Sequence, residues 1–384
     1  EMRRSPYKRP VTLLVLVGLL VVCAHVWVVQ SFLASTPLGE DGTPAAWANE
    51  LDDSLVKRLA ARTHFDMIEE DVRRIAVVRE VDTPPLREVR SYILSEFELH
   101  PDWKVELDTF EDDTPLGRKR FTNIVATWSP YRVRSGKGSA ETNRRLVLAA
   151  HYDSKYFPEG NFIAATDSAV SCALLLDLVR TLDRELRPLS EMPMKGVDEA
   201  LSLQVIFFDG EEAFVDWTAT DSIYGARHLA AKWEQMDGAG MDAFASASNG
   251  LQNIELFVLL DLLAARAPPH PEIPSYFPGT GAAHAALRRL EQRLIALRLV
   301  RAGGQYRKQG TYYFSPGGVR GYIQDDHLPF LQREVPILHL IPPKFPQIWH
   351  KPGDNLDAID WNQVEDYAVI FRVFVAQYLN LPVH

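Results

Sequence analysis

Residues able to bind a metal or move a proton stand at the ends of three short apolar runs in the sequence. Each of three runs leads into such residues: Arg145–Ala150 into His151 and Asp153, Leu203–Phe208 into Asp209, Glu211 and Glu212, and Ile254–Leu260 into Asp261. Two more candidates, Asp167 and His350, stand apart from these runs. Carboxylates and neutral imidazole form a ligand set that Zn²⁺ accepts. A carboxylate that binds no metal can serve as a general base, so these residue types suit metal-assisted acid–base chemistry.

The adjacent acids Glu211 and Glu212 are the strongest local signal for a site. Side chains of adjacent extended residues point in opposite directions, so one carboxylate can hold a metal while the other stays free as a base. Paired acids also occur in solvated surface turns, which is the alternative interpretation. The buried-strand pattern directly before the pair favours a functional role.

The other candidates each have an ordinary structural explanation. Asp167 stands directly before a helical pattern, where it could cap the helix by accepting a backbone N–H. Asp261 could be a strand-end acid turned to water, and His350 an exposed loop histidine. His339 lies inside an apolar run and, from its position alone, is a core histidine.

The elements that must position these residues alternate between strand and helix. Short apolar runs predict buried strands over Asn123–Trp128, Arg145–Ala150, Leu203–Phe208, Ile254–Leu260 and Val335–Ile341. Helical periodicity predicts helices over Pro84–Glu98, Ser168–Leu182, Ala283–Leu299, Asn362–Leu379 and within Leu51–Val78. The alternation predicts an α/β fold: a single globular domain with a central mixed, mostly parallel β-sheet flanked by helices. Because the reactive crevice of such sheets lies beyond the carboxyl ends of the strands, the acids should meet at one edge.

Composition limits the class of protein. The chain has 384 residues, of which 46% are hydrophobic, and a formal net charge of −10. A disordered or collagen-like chain is therefore excluded. The acidic balance also argues against nucleic acid as a partner, because phosphate binding needs clustered Lys and Arg.

An apolar segment, Val11–Val29, lies near the N-terminus and is preceded by four cations, Arg3, Arg4, Lys8 and Arg9. It is long enough to cross a bilayer. The cations on its N-terminal side predict a retained signal anchor whose N-terminus faces the cytosol. The predicted organisation is a cytosolic tail (1–10), a transmembrane signal anchor (11–29), a lumenal stem (30–50) and a globular domain (51–384).

Six motifs, in order along the chain, resemble those of the animal-type glutaminyl-peptide cyclotransferases, or glutaminyl cyclases. They are His151-Tyr-Asp-Ser-Lys-Tyr-Phe157, Ala165-Thr-Asp-Ser-Ala-Val170, Asp209-Gly-Glu-Glu-Ala-Phe214, Asp221-Ser-Ile-Tyr-Gly-Ala-Arg-His-Leu-Ala230, Gln324-Asp-Asp-His-Leu-Pro-Phe-Leu331 and Phe345-Pro-Gln-Ile-Trp-His350. The resemblance implies a zinc-aminopeptidase-like fold and a catalytic domain over 51–384. It also implies the reaction, cyclisation of the N-terminal glutamine of peptides and proteins to pyroglutamate with release of ammonia. Whether N-terminal glutamate is cyclised too is left open.

The resemblance gives each matching residue a role. It makes three residues the ligands of one Zn²⁺ per chain: Asp167, Glu212 and His350. Glu211 becomes the general acid/base, and Asp261 with Asp325 forms a hydrogen-bonded acidic pair behind the substrate amide. The other matches are substrate-binding positions: Trp217, Gln324, His339, Ile341, Phe345 and Trp349. For His339 and the two tryptophans, this replaces the ordinary structural role that their positions alone suggest.

Two other functions stay open. One is that of the zinc aminopeptidases of the same fold, which the cyclases resemble and whose two-metal site six residues of this chain could fill: His151, Asp167, Glu211, Glu212, Asp261 and His350. A catalytically inactive, receptor-like binding protein is the other, although retention of the three ligands and Glu211 argues against it. Metal content separates the enzymes, with one zinc ion expected for the cyclase and two for the peptidase.

The anchor resembles that of the Golgi-resident branch of the cyclases rather than the secreted branch. This implies a single-pass type II Golgi membrane protein with a lumenal catalytic domain. The alternatives are another membrane of the secretory pathway or secretion. Secreted members pair the cysteine that matches Cys172 with one at the position of Ala150, and this disulfide is impossible here. A monomer is favoured, but the sequence does not determine the oligomeric state.

Overall fold

The apolar runs of the sequence form the central sheet in the computed structural model of the protein. The chain divides into two units, Glu1–Asn49 and Glu50–His384. The structure describes residues 50–61, 65–134, 144–191, 201–238, 250–266, 272–301, 312–319 and 321–382. The predicted tail, anchor and nearly all of the stem (1–49) lie outside the described residues. Among the residues that are described, none belongs to a helix both long and apolar enough to span a bilayer.

Eight strands are described. They are β1 (Trp103–Thr114), β2 (Gly117–Trp128), β3 (Arg145–His151), β4 (Ser202–Phe208), β5 (Ile254–Leu260), β6 (Ile273–Ser275), β7 (Phe314–Gly318) and β8 (Ile337–Leu340). Six of them form one sheet in the order β1-β2-β4-β3-β5-β8, and β6 pairs with β7 separately. Strands β4, β3, β5 and β8 are parallel, whereas β1 and β2 are antiparallel additions. The predicted mixed, mostly parallel sheet is confirmed.

Helices cover the sheet. They are α1 (Asp53–Leu59), α2 (Phe65–Ile75), α3 (Pro84–Glu98), α4 (Tyr131–Arg134), α5 (Val170–Glu191), α6 (Tyr224–Gly238), α7 (Gly281–Ala296), α8 (Leu328–Leu331) and α9 (Trp361–Tyr378). On one face of the sheet, α6 packs Leu229 and Trp233 into a core with Val147, Ile206 and Phe257. Alternate strand residues therefore supply this core, as a sheet buried on both faces requires.

Six of these strands and helices were not predicted from the sequence: β1, β6, β7, α4, α6 and α8. Strand β1 is rich in charged residues, and only Trp103 and Asp108 in it are buried. Helix α6 follows the acidic turn after β4 and has no strong helical periodicity of its own. The predicted strand Val335–Ile341 is shorter in the structure, and α5 begins at Val170 rather than Ser168 because Asp167 and Ser168 have non-helical backbone angles.

A buried ion pair ties α9 to α5. The guanidinium of Arg372 donates to both carboxylate oxygens of Asp177 and to the carbonyls of Leu59 and Ala61. Both charged side chains are almost fully buried. The pair and the two carbonyls therefore hold the N-terminal helix region against the core of the domain.

We expect Arg372→Leu to lower the free energy of unfolding by about 3–5 kcal/mol, because the Asp177 carboxylate would stay buried without its partner. Urea unfolding followed by circular dichroism measures this. The double variant Asp177→Leu/Arg372→Leu is the matched control and should regain much of the loss, since no buried charge is left unpaired. A single variant as stable as the parent would show that the pair contributes nothing.

Candidate active site

The carboxyl ends of three adjacent strands deliver the predicted residues to one edge of the sheet. His151 is the last residue of β3, Asp209 follows β4 and Asp261 follows β5. Strand β3 lies between β4 and β5 in the sheet, with parallel pairing on both sides. The sequence prediction that these residues meet at one edge is therefore correct.

A tight turn after β4 buries both adjacent acids. Gly210 has a φ of 73°, and a Cβ atom there would lie 2.5 Å from the ring of Phe121. The carboxylate of Asp153 accepts hydrogen bonds from the backbone N–H of Glu211 at 3.1 Å and of Glu212 at 3.3 Å. Glu211 is only 6% exposed and Glu212 only 4%. The alternative of a solvated acidic turn is therefore wrong.

Asp167 lies in a turn just before α5 and does not cap that helix. Its side chain contacts imidazoles instead: Oδ1 lies 3.2 Å from Nε2 of His151, and Oδ2 lies 3.4 Å from Nε2 of His350. The turn is held by Asp354, whose Oδ1 accepts hydrogen bonds from the backbone N–H and the hydroxyl of Thr166. The helix-cap explanation for Asp167 is wrong, because its carboxylate points at the histidines.

His350 completes a cluster with the two carboxylates. Its Nε2 lies 3.1 Å from Oε1 of Glu212 as well as 3.4 Å from Asp167. The ligand atoms of Asp167, Glu212 and His350 all lie within 4.8 Å of one another. Ligand atoms of a tetrahedral zinc site with bonds of about 2.0–2.1 Å are about 3.3 Å apart, which is close to these separations.

The charges of the cluster fit a divalent cation. In the described part of the chain, Oδ2 of Asp167 and Oε2 of Glu212 are buried without a hydrogen-bond partner. Burial lowers the pKa of His350, but its contacts with Asp167 and Glu212 outweigh burial and raise that pKa to about 9. Burial likewise opposes ionisation of Asp167, yet His151 and His350 hold its pKa below the ordinary value. Two carboxylates that need a positive charge between them are typical of a metal site.

Glu211 lies beside the cluster in a second group of acids. Burial raises the pKa of Glu211 well above its ordinary value, and the charges of Glu212, Asp325 and Asp326 add to the effect against the opposing charge of His151. Asp326 is fully buried, and neither of its carboxylate oxygens has a partner among the described residues. A buried carboxyl among other acids holds a proton more tightly than an ordinary glutamate does.

Asp261 and Asp325 have separate hydrogen-bond donors. Asp261 Oδ1 accepts from the hydroxyl of Ser168 and, at 2.8 Å, from the N–H of Leu262. Asp325 Oδ2 lies 2.7 Å from Nε2 of His339. The hydrogen bond that the resemblance implies between the two acids is not present between these described residues; the donors shown for each carboxylate are different ones. Burial and the charge of Asp325 still raise the pKa of Asp261 to about 6.

A second candidate metal cluster adjoins the first. His151, Asp167 and Asp261 bring three ligand atoms within 4.8 Å, and Asp167 is common to both clusters. Asp153 lies 3.4 Å from Nδ1 of His151 and so orients the ring from its other side. Cys172, which is free and buried, donates from its thiol to the carbonyl of His151 at 3.1 Å.

The residues matched to a substrate pocket form two groups, one around Trp217 and one around Trp349. Trp217 donates from Nε1 to Oε1 of Gln324 at 2.9 Å, and the ring of Trp349 stacks on His350 at 3.9 Å. Phe345 lies 4.7 Å from Trp349 and also packs against the cluster that contains Ile341. Both tryptophans are 37% exposed, so they stand at the rim of the site rather than in the core. His339 is buried.

Three supporting residues escaped the sequence prediction as parts of the site. They are Arg79, Ser168 and Asp354. Arg79 is fully buried and donates to the carbonyls of Tyr152, Ile163 and Ala164, which joins the segment after β3 to the turn before Asp167. Ser168 lies inside one of the quoted motifs, which was a usable signal. Nothing in the sequence around Arg79 or Asp354 indicates their partners, because those partners are distant along the chain.

Comparison with known proteins identifies similar chains. Residues 123–375 match the model of peptidase family M28. A glutaminyl-peptide cyclotransferase from Bos taurus is 40% identical over 336 residues, which cover 86% of this chain and 87% of that protein. The crystal structure of Macrostomum lignano glutaminyl cyclase has a TM-score of 0.73 and 35% identity, and the match covers 89% of this chain and 99% of that one. A Zn-dependent exopeptidase from Parabacteroides distasonis, at 18% identity and a TM-score of 0.55, shares the fold over 84% of this chain and 97% of its own.

Proposed function

Because the chain belongs to peptidase family M28 and, within it, to the glutaminyl-peptide cyclotransferases, we propose that it converts the N-terminal glutamine of peptides and proteins to pyroglutamate and releases ammonia. One observation carries this proposal beyond the family relationship. Next to a candidate metal cluster lies a buried carboxyl, Glu211, that is not part of that cluster. Such a group can move a proton between two nitrogen atoms of a substrate.

We propose that the cluster of Asp167, Glu212 and His350 holds one Zn²⁺ per chain. Two carboxylates and an imidazole form a suitable donor set, and the buried oxygen atoms of Asp167 and Glu212 that form no hydrogen bond with described residues support it. When bound, the ion would polarise the side-chain amide carbonyl of the substrate glutamine and stabilise negative charge on its oxygen.

Glu211 is the proposed proton carrier. The α-amine of the substrate attacks its own side-chain amide carbon, so that a new C–N bond closes a five-membered ring and the bond to the amide nitrogen breaks. The Glu211 carboxylate takes a proton from the attacking amine and returns it to the leaving nitrogen, which departs as ammonia. The raised proton affinity of this buried carboxyl suits it to hold the proton between the two transfers.

The remaining matched residues orient the substrate. We propose that the buried residues Asp261 and Asp325 face the substrate amide and fix its direction. The indole rings of Trp217 and Trp349 would cover the side chain of the substrate glutamine. Trp217 holds Gln324 in place through its hydrogen bond. Ring closure within one molecule needs little besides orientation and the exclusion of water, and these side chains supply both.

A two-metal aminopeptidase is the second candidate. The cluster of His151, Asp167 and Asp261, which shares Asp167 with the first cluster, favours it. Elemental analysis of the purified full chain separates the two functions. One zinc ion per chain supports the cyclase, and two support the peptidase.

The function is tested with a peptide that begins in glutamine, incubated with the full chain and analysed by mass spectrometry. Loss of one ammonia from the peptide, blocked by a zinc chelator, is the result expected for the cyclase. Release of the first residue would indicate the aminopeptidase. No change in the peptide although zinc is bound would favour a binding protein without catalytic activity.

The cyclisation rate should fall as the pH drops below the pKa of the substrate amine, because only the neutral amine can attack. Peptide α-amines have pKa values of about 7.7–8.0, so each further pH unit below that range should lower kcat/KM about tenfold. Initial rates at low substrate concentration between pH 8.5 and 5.5 measure this. A flat profile from pH 8 to 5.5 would contradict attack by the free amine.

We also propose that the protein is a monomer. We propose further that it resides in the Golgi membrane as a type II protein. Residues 11–29 would form its anchor, and its catalytic domain would lie in the lumen. The support is the cationic flank of the apolar segment and its similarity to anchors of the membrane-bound cyclases. Protease protection of the domain in intact Golgi vesicles tests the topology, and the mass of the detergent-solubilised protein tests the oligomeric state.

A further inference from the structure

A cavity of about 450 Å³ lies between α7 and the small sheet of β6 and β7. Its walls include Tyr276, His284, Arg288, Arg289 and Val319. None of the described residues that line it is acidic. In a chain with a formal net charge of −10, a cavity lined by two arginines and no acid is unusual.

The two arginines are available for an anion. Neither Arg288 nor Arg289 forms an ion pair with a carboxylate in the described ranges. The Nε of Arg288 is buried without an acceptor among those residues, and its guanidinium lies 5.3 Å from the centre of the Tyr312 ring. The stacking holds the guanidinium in place, and its N–H groups match a carboxylate in geometry and charge.

His284 lines the cavity but contributes no charge to it. Its Nε2 donates to the carbonyl of Ile273 at 2.9 Å. Burial and the nearby charge of Arg288 lower the pKa of His284, so the ring is neutral near pH 7. The positive charge of the cavity therefore comes from the two guanidinium groups.

The N-terminal end of α7 reinforces this positive charge. Gly281, the first residue of the helix, lines the cavity. The helix has no side-chain cap, because the hydroxyl of Thr280 donates instead to the carbonyls of Phe277 and Ile337. Its first turn also contains no acidic residue. The positive end of the helix dipole is thus not neutralised by the helix itself.

Tyr276 contacts both the cavity and residues matched to the substrate pocket. It lines the cavity, donates from its hydroxyl to the carbonyl of Ile341 at 3.0 Å, and has its ring 5.6 Å from that of His339. It also packs in the cluster that contains Ile341 and Phe345. Because three extended residues span roughly 10 Å, a peptide whose first residue is in the site can extend as far as a neighbouring cavity.

We propose that this cavity is an accessory substrate site, in which Arg288 and Arg289 bind a carboxylate side chain located a few residues after the N-terminal glutamine. The inference rests on the proposed cyclase function and adds to it a preference for peptides with Asp or Glu downstream. It requires no new chemistry, since the arginines contribute only to binding.

The test compares two peptides of equal length, Gln-Ala-Glu-Glu-Ala amide and Gln-Ala-Gln-Gln-Ala amide, on the full chain. We expect the acidic peptide to have the lower KM, and Arg288→Gln or Arg289→Gln to raise that KM about tenfold, which is the effect of losing charge-assisted hydrogen bonds. The values of kcat, and the KM of the neutral peptide, should not change. Arg298→Gln is the matched control, because it removes the same charge from an exposed position beyond the other end of α7.

The outcomes separate this inference from the proposed function. If neither peptide is cyclised by the parent protein, the proposed function fails. If both peptides are cyclised with equal KM values and the arginine variants change nothing, only the accessory site is refuted. If free acetate or phosphate stabilises the parent against heat but not the Arg288 variant, while the peptides remain equivalent, the cavity binds a free anion and the proposal is wrong. Arg289 is exposed, so its variant reports on the cavity even if Arg288→Gln disturbs folding.

Discussion

Glu211→Gln should lower kcat for glutamine cyclisation by about 10²–10⁴-fold, the usual contribution of a positioned general acid/base. The substitution keeps the size of the side chain but replaces the carboxylate by an amide, which cannot take a proton from the attacking amine. Glu211 is outside the cluster of Asp167, Glu212 and His350, so the variant should still bind one zinc ion. Steady-state kinetics with a glutamine peptide and elemental analysis of the same sample measure both effects.

A matched control for this variant is Glu88→Gln, which makes the same chemical change at an exposed position on α3. It should retain the parent rate and zinc content. If Glu211→Gln cyclised glutamine at the full rate, the assignment of Glu211 as the proton carrier would be wrong. If it lost zinc as well as activity, Glu211 would have to be counted among the metal ligands.

His350→Ala should lose both zinc and activity. Removal of hydrogen-bond partners around a metal ligand already costs about 10–100-fold in affinity, so loss of the ligand itself should cost at least about a hundredfold. Without the metal, several kcal/mol of transition-state stabilisation disappear, and the rate should fall about a thousandfold. Zinc titration with a competing chelator and the initial rate of ammonia release measure the two losses.

His228→Ala is the control for His350→Ala. His228 lies on α6, is partly exposed and contacts Asp108, which Lys232 also pairs with. This variant should keep its zinc and its rate. Full zinc affinity in His350→Ala would remove His350 from the proposed ligand set and leave two other described clusters as candidate metal sites: His151, Asp167 and Asp261, and Asp325, His327 and His339.

The two variants together separate chemistry from metal binding. A group that carries a proton can be lost without loss of the ion, whereas loss of a ligand removes both. The same pair of measurements also bears on the aminopeptidase alternative, because a second ion at His151 and Asp261 would leave zinc bound in His350→Ala.

The strands were predictable because each is a short apolar run that only a buried sheet accommodates. Arg145–Ala150 and Ile254–Leu260 were placed nearly residue for residue, and parallel pairing then required His151 and Asp261 to meet. Strand β1 was not predictable in this way, since most of its residues are at least partly exposed and its charged sequence resembles a loop. Its pairing with β2 is set by the tertiary structure.

The direction of each acidic side chain was decided by contacts between distant segments. Asp167 could equally have capped α5, and only the approach of His151 and His350 turns its carboxylate into the cluster. The turn of Glu211 and Glu212 depends on Asp153, which belongs to another strand end. Sequence periodicity cannot report such contacts, because they join residues at least 16 positions apart along the chain.

The sequence by itself determined the fold class, the edge of the sheet at which chemistry occurs and, through its motifs, the family of the protein. These properties follow from local hydrophobic patterns and from short runs of residues, both of which are written along the chain. Only the tertiary structure decided which carboxylates are buried together and that Asp261 and Asp325 have separate donors. It also decided that Arg288 and Arg289 line a cavity next to the substrate pocket. Burial and electrostatic coupling depend on distances in space, and those distances exist only once the chain has folded.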